Sequence, residues 1–233
     1  MPVGVLCDVG AVFLGTIIGS SIRKIIPRHL INELPKIFGI CSVCIGIMSV
    51  ITVETLSMVI MSVIIGFVIG ELLHINVHVS HFFSWVLSKL SFKVEGNHDE
   101  YMELYLLVVL MFSMSGMGIF GALTEGMTGD SSVLISKAVL DIFTALLFGA
   151  ALGMAQALIC VPQMIILLGC FFLANVISPF VTTTMITDFK ACGGIITMIT
   201  GLTVAKIFKV NAINLIPALI IVMPIVGLYS MVF

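Results

Sequence analysis

The stretch TEGMTGDSSVLISKAVLDIFTA, residues 124–145, decides how the rest of the chain is read. It joins two apolar segments and carries Glu125, Asp130, Lys137 and Asp141, four of the few charges outside the obvious loops. A helix starting at Asp130 to Val133 puts Asp141 about eight residues in, hence roughly 12 Å deep at ~1.5 Å per residue. That is near the middle of a hydrocarbon core about 30 Å thick. An ionisable group at such depth normally faces a bundle interior or a watery cavity and marks a pathway. Lys137 lies one helical turn before Asp141 on the same face, so the two can pair.

The composition around this stretch fits a membrane protein. Of 233 residues, 60% are hydrophobic and only 9% charged, and the mean hydropathy is +1.28. Soluble domains carry about 25% charged residues. A net charge of -2 offers no basic field for nucleic acid. The N-terminus, MPVGVLCDVG, has no positive region before its apolar run, and reads as a first span and not as a removed signal peptide. Six cysteines fall in or beside apolar segments, where Cys packs as a small hydrophobe. Cys41 and Cys44 have CxxC spacing but no loop-rich zinc or redox setting, so no metal and no cofactor is expected.

Apolar windows of about 20 residues fall near 4–22, 34–53, 55–73, 102–123, 133–154, 160–180, 188–205 and 211–232. They predict an all-α polytopic membrane protein of about eight transmembrane helices. Between the third and fourth windows, His74, His78, His81, Ser84 and Ser88 recur at helical spacing opposite Phe82, Phe83 and Leu90. That segment, with Trp85, reads as an amphipathic helix in the interface plane. The three histidines also have spacing that a metal or a pH sensor could use, but no carboxylate or Cys joins them. Lys93 to Glu100 is a solvated linker. Eight of the ten Lys and Arg residues (Arg23, Lys24, Arg28, Lys36, Lys89, Lys93, Lys206 and Lys209) flank connections on one side of an eight-span chain. The positive-inside rule makes that side cytoplasmic and puts both termini outside.

Residues 31–50 written over 186–205, an offset of 155, align Glu33 with Asp188, Gly39 with Gly194 and Gly46 with Gly201. This predicts an inverted repeat of three helices flanking a central pair, as in many secondary transporters. The single domain, 1–233, then divides into repeat A (1–74), interfacial helix and linker (75–100), central helix pair (101–155) and repeat B (156–233). Small-residue stripes at Ala11, Gly15 and Gly19, and at Gly66 and Gly70, are packing faces, within the protomer or across a homodimer.

Around Lys137 and Asp141 the candidate ion-binding set is Asp130, Glu125, Ser131, Asn175, Thr182 and Asp188. Asp130 with Ser131 also reads as a helix cap, and Glu125 as a rim charge. Asn175, Ser178, Pro179, Thr182, Thr183 and Thr187 interrupt the membrane pattern before Asp188, supplying neutral oxygens or interhelical hydrogen bonds. Asp8, early in the first span, reads as an interface-solvated carboxylate. No phosphate loop, zinc-protease pair or serine elbow occurs, so no enzyme is expected.

GALTEGMTGDSSVLISKAVLD resembles the signature of the DUF554 membrane proteins, and the likeness extends to GTIIGSSIRK, GFVIGELLHI and the Gly193-Gly194 region. In this resemblance Gly129, Asp130, Lys137 and Asp141 stand for the family's Gly-Asp, Lys and Asp. Two positions depart from it: Ile142 where a small residue often follows, and Asp8, an added acid, where an Asn is expected. The resemblance implies a membrane protein of unestablished function, described as a candidate sodium channel or pump. Residues and resemblance together predict a transporter or channel for a small cation, sodium or proton-coupled, in the bacterial cytoplasmic (inner) membrane. Its partners would be lipid, a small cation or polar solute, and a second copy of the chain. The alternative is a membrane sensor or scaffold without transport.

Overall fold

The computed structural model describes residues 1–23, 27–89, 98–113, 115–177, 179 and 181–232. They form ten α-helices: α1 (Val3–Ile22), α2 (Arg28–Val50), α3 (Leu56–Leu72), α4 (Ile75–Lys89), α5 (His98–Ser113), α6 (Gly116–Thr128), α7 (Ser132–Leu152), α8 (Cys160–Ile177), α9 (Thr183–Val204) and α10 (Ile216–Val232). Short 3-10 turns, Gly153–Ile159 and Ala212–Leu215, lead into α8 and α10. No strand occurs among the described residues. Lys24, Ser178 and most of the linker at 93–100 lie outside them.

The span count differs from the eight expected. Among the described residues five helical runs are long and apolar enough to cross a membrane: Val3–Ile22, Glu100–Thr128, Ser132–Val176, Thr183–Val204 and Ala212–Ser230. Leu56–Leu72 with Ile75–Trp85, bent by 61°, makes a sixth. Apolar windows record composition but not helix continuity. Within α2 the apolar stretch among the described residues is Gly39–Val50. α3 has 17 residues, at the short end of a crossing. The fifth and sixth windows form a run of 45 residues that turns back after Gly153, where φ is +71°, so that Lys137 of α7 and Gln163 of α8 reach the same Asp8 oxygen. The segment read as amphipathic forms α4, turned away from α3 at His74, whose φ of 50° is left-handed.

α1 packs along α7, α2 along α9, α3 along α10, and α6 along α8. Glycine lets these backbones meet. A Cβ on Gly15 would lie 2.4 Å from Ile142 O, and one on Gly19 2.0 Å from Leu146 O. In α2 and α9 the contacts cross: Gly39 would meet Gly201 O at 2.3 Å, and Gly46 would meet Gly194 O at 2.6 Å. Gly66 is closed in the same way by Ala218 of α10, and Gly70 by Asn214 of the 3-10 turn before it. Both predicted small-residue stripes are therefore used inside the chain. Close approach of small residues is the main attraction between helices when lipid removes the hydrophobic drive.

Side chains on α5 and on the 3-10 turn Ala212–Leu215 tie down the helix breaks. Tyr101 Oη donates to Leu152 O at 2.8 Å, meeting a carbonyl left free at the end of α7. Asn214 donates to Glu71 Oε1 at 2.9 Å and accepts from the Asn76 amide at 2.8 Å, fixing the turn between α3 and α4. Because the obstruction at Gly19 is backbone, Gly19→Val is expected to destabilise the protein by about 1–3 kcal/mol or more. Gly10→Ala, which meets nothing within 4 Å, should be neutral or slightly stabilising. Thermal unfolding of the detergent-purified variants checks the contrast.

Candidate functional site

Where α1 lies against α7, four polar side chains from three helices meet. Lys137 and Asp141 stand one turn apart on α7, and the Lys137 ammonium donates to Asp141 Oδ2 and, at 2.9 Å, to Asp8 Oδ2 on α1. Gln163 of α8 donates through Nε2 to the same Asp8 oxygen at 2.9 Å. Asp8 and Gln163 are fully buried and Lys137 nearly so, while the Asp141 side chain keeps 13% of its surface open. Two carboxylates against one ammonium leave one negative charge over, 2 - 1 = 1. Buried charges are tolerated only when paired and hydrogen-bonded.

Asp141 and Lys137 border a cavity of about 250 Å³. Its wall is mostly apolar, from residues such as Ile45, Met111, Phe112, Leu140 and Phe143, with Ser42, Ser49, Thr144 and Thr197 also among the lining residues. The cavity also touches the join of α5 and α6. There Ser115 is extended (ψ 136°) and its hydroxyl accepts from the Gly118 amide at 3.0 Å, starting α6 afresh beside the lysine. A Cβ on Gly118 would lie 3.1 Å from Lys137 Cε, so the glycine keeps room for the lysine stem. The glycine-rich end of the fourth window thus breaks its helix where it borders a cavity, as backbone at membrane depth can do.

The other expected residues stand elsewhere. Glu125 is buried at 2% exposure, not on a rim, and its carboxylate accepts from the Gly4 amide at 2.7 Å and the Val5 amide at 3.3 Å. Those are amides of the first turn of α1, which no intrahelical carbonyl can reach. Asp188 serves the start of α3 in the same way, taking the Glu54 amide at 2.8 Å and the Thr55 amide at 3.1 Å. Asp130 accepts from the Ser132 amide at 2.9 Å at the entry to α7, and that bond with the Ser132 hydroxyl holds its carboxyl below the usual carboxylate range. Ser131 is the N-cap position of α7, and Thr182 caps α9 by accepting from the Met185 amide at 3.2 Å. Asn175 is exposed on α8. None of these six joins the Asp141 cluster.

Asp8 departs from its sequence reading. It is not an interface carboxylate but a buried partner of Lys137, because the glycines of α1 bring its helix against α7. Its presence as an extra acid was the available signal. Gln163 and Gln156 are two glutamines in an otherwise apolar run, polar groups in need of partners. Gln156 donates to Ala145 O at 3.0 Å. Among the described residues no three His, Cys, Asp or Glu side chains cluster as a metal site, and His74, His78 and His81 are exposed.

Long apolar helices around a buried acid–lysine cluster define a helical membrane protein. The chain belongs to the DUF554 family, a protein family of unknown function, whose profile matches residues 3–227. It is 36% identical over 227 residues to the uncharacterized protein YqgA of Escherichia coli (strain K12), covering 97% of this chain and 96% of that one. It is 24% identical over 222 residues to the uncharacterized membrane protein YdfK of Bacillus subtilis (strain 168), covering 94% and 93%. No solved structure matches the chain.

If Glu125 is a cap, Glu125→Ala leaves the Gly4 and Val5 amides without an acceptor. The expected loss is about 1–3 kcal/mol of stability, with faster hydrogen exchange confined to the first turn of α1. Unchanged exchange at those two amides would show that the carboxylate does not serve them.

Proposed function

We propose that the protein is a multi-pass transporter or channel of the bacterial cytoplasmic membrane for a small cation, sodium or proton-coupled, and not an enzyme. The observation that carries this reading is the Lys137 ammonium shared between Asp8 on one helix and Asp141 on another, with Asp141 open to a cavity. One lysine neutralises one acid at a time. A cation arriving at Asp141 from the cavity releases Lys137 to Asp8, and its departure draws the ammonium back. Hydroxyls of Ser42, Ser49, Thr144 and Thr197 offer the neutral oxygens that a single carboxylate needs to replace an ion's water.

The proposed inverted repeat finds support in three sets of contacts. Matched glycines meet in crossed pairs, Gly39 with Gly201 and Gly46 with Gly194. Asp8 hydrogen-bonds Gln163, 155 positions away, the offset read from the sequence. Gly149 of α7 closes on Thr16, and Gly126 of α6 on Phe171, contacts also separated by 171 - 16 = 155. On this reading α6 and α7 are themselves repeat mates, and the site lies where the halves meet, as transporter sites do. The basic loops face the cytoplasm. A homodimer would join through faces other than the two glycine stripes.

Purified protein in lipid vesicles should move sodium or protons down an imposed gradient. Asp141→Asn is expected to cut that flux by an order of magnitude or more, while Asp130→Asn leaves it near wild type. Undiminished flux through Asp141→Asn would remove the role given to that acid.

A further inference from the structure

Asp8 and Gln163 each use only half of their hydrogen-bonding edge. Gln163 Nε2 donates to Asp8 Oδ2 at 2.9 Å, and Lys137 donates to that same oxygen. Asp8 Oδ1 and Gln163 Oε1, the remaining atom of each group, are buried and have no hydrogen-bond partner among the described residues. Turning the amide over does not help, because it would set Oε1 against Oδ2, acceptor to acceptor. A buried acceptor left without a donor costs about 1–3 kcal/mol, and more if it is charged.

One proton resolves both vacancies. A carboxylic acid and a primary amide join edge to edge in a ring of two hydrogen bonds, N–H to carboxyl C=O and O–H to amide C=O. The first of these is present, and the two unmatched oxygens are the pair that the second would join. A proton on Oδ1 also supplies the one positive charge by which the cluster falls short. It needs no extra space, whereas a metal ion or water does, and the cavity beside Asp141 is lined by neither Asp8 nor Gln163.

The groups around Asp8 fit this assignment. From α7 come Lys137 and Asp141, and from α8 Gln163 and Cys160, whose thiol donates to Val9 O at 3.8 Å. From α6 comes Glu125, whose oxygens are taken by the Gly4 and Val5 amides. The 3-10 turn Gly153–Ile159 brings no ionisable side chain. We infer that Asp8 is a protonated carboxylic acid paired with the Gln163 amide, leaving Lys137 and Asp141 as the charged pair. Within the transport reading, on which this extension rests, Asp8 is the proton-carrying group. When its O–H bond breaks, the proton leaves and the electron pair stays on Oδ1, and Lys137 turns from Asp141 to neutralise it.

Infrared spectroscopy of the purified protein in light and heavy water tests the assignment. At neutral pH the wild type should show the C=O stretch of a protonated carboxyl. Asp8→Asn, which keeps the shape and neutrality of the acid, should abolish that band. Gln163→Leu, which keeps both acids and the lysine, should shift it to higher frequency as the hydrogen bond is lost. Size-exclusion profiles establish which variants fold, and the Gln163→Leu shift decides the matter if Asp8→Asn does not. A wild type without the band, a band that survives Asp8→Asn, or one unmoved by Gln163→Leu overturns the inference. The band in a protein without flux would leave the proton site standing and remove transport, and flux without the band would do the reverse.

Discussion

A single ammonium, Lys137 Nζ, sets the terms for how α1, α7 and α8 assemble. Buried at 4% exposure, it must have carboxylates within hydrogen-bond reach, and one of them is on another helix. Asp8 reaches it because Gly15 and Gly19 allow α1 to touch the α7 backbone at Ile142 and Leu146. Removing one partner of a buried ion pair costs about 3–5 kcal/mol, yet replacing the whole pair with packed apolar residues is often neutral or stabilising. The cluster is therefore weakly explained by stability alone. Its partial opening to a cavity at Asp141 is what an apolar replacement could not supply.

The chain uses buried carboxylates in two different ways, and position relative to a helix end separates them. Glu125 meets amides in the first turn of α1, and Asp188 those of Glu54 and Thr55 at the entry to α3, where the helix dipole favours a negative charge. Neither needs a cation nearby. Asp8 and Asp141 lie within their helices, where backbone amides are already used, so side chains must supply every donor. The capping acids have what they require from the backbone, while the inner pair depends on Lys137, Gln163 and whatever enters beside them.

The apolar windows and glycine spacing made the helices and the Lys137 to Asp141 pair legible in the sequence, while the contact of α2 with α9 came from the fold. An offset of 155 places Gly39 and Gly46 over Gly194 and Gly201, and all four are used at one interface. The destinations of Glu125 and Asp188 were not legible, because the amides they serve are 121 and 134 positions away. An acid near a membrane segment looks alike in sequence whether it caps a distant helix or binds an ion. Asp8 misled for a related reason: counted along its own helix it is shallow, but its burial is decided by α7 and α8. Five to six candidate spans among the described residues stand against the eight windows, because composition does not record where α3 bends into α4.

The proposed repeat also explains why Asp8 and Gln163 differ. Positions related by a two-fold axis that touch each other lie on that axis, so identical residues there would face identical residues. Two aspartates would bring two acids together beside the carboxylate of Asp141, and one lysine could not balance three negative charges. Two glutamines would leave Lys137 with Asp141 alone and no acid to share. An acid opposite an amide keeps complementary edges while holding the ionisable count at two acids and one base. Divergence of the two halves at the axis is then a requirement of charge, and it locates the functional asymmetry of the molecule at the point where its symmetry would be strictest.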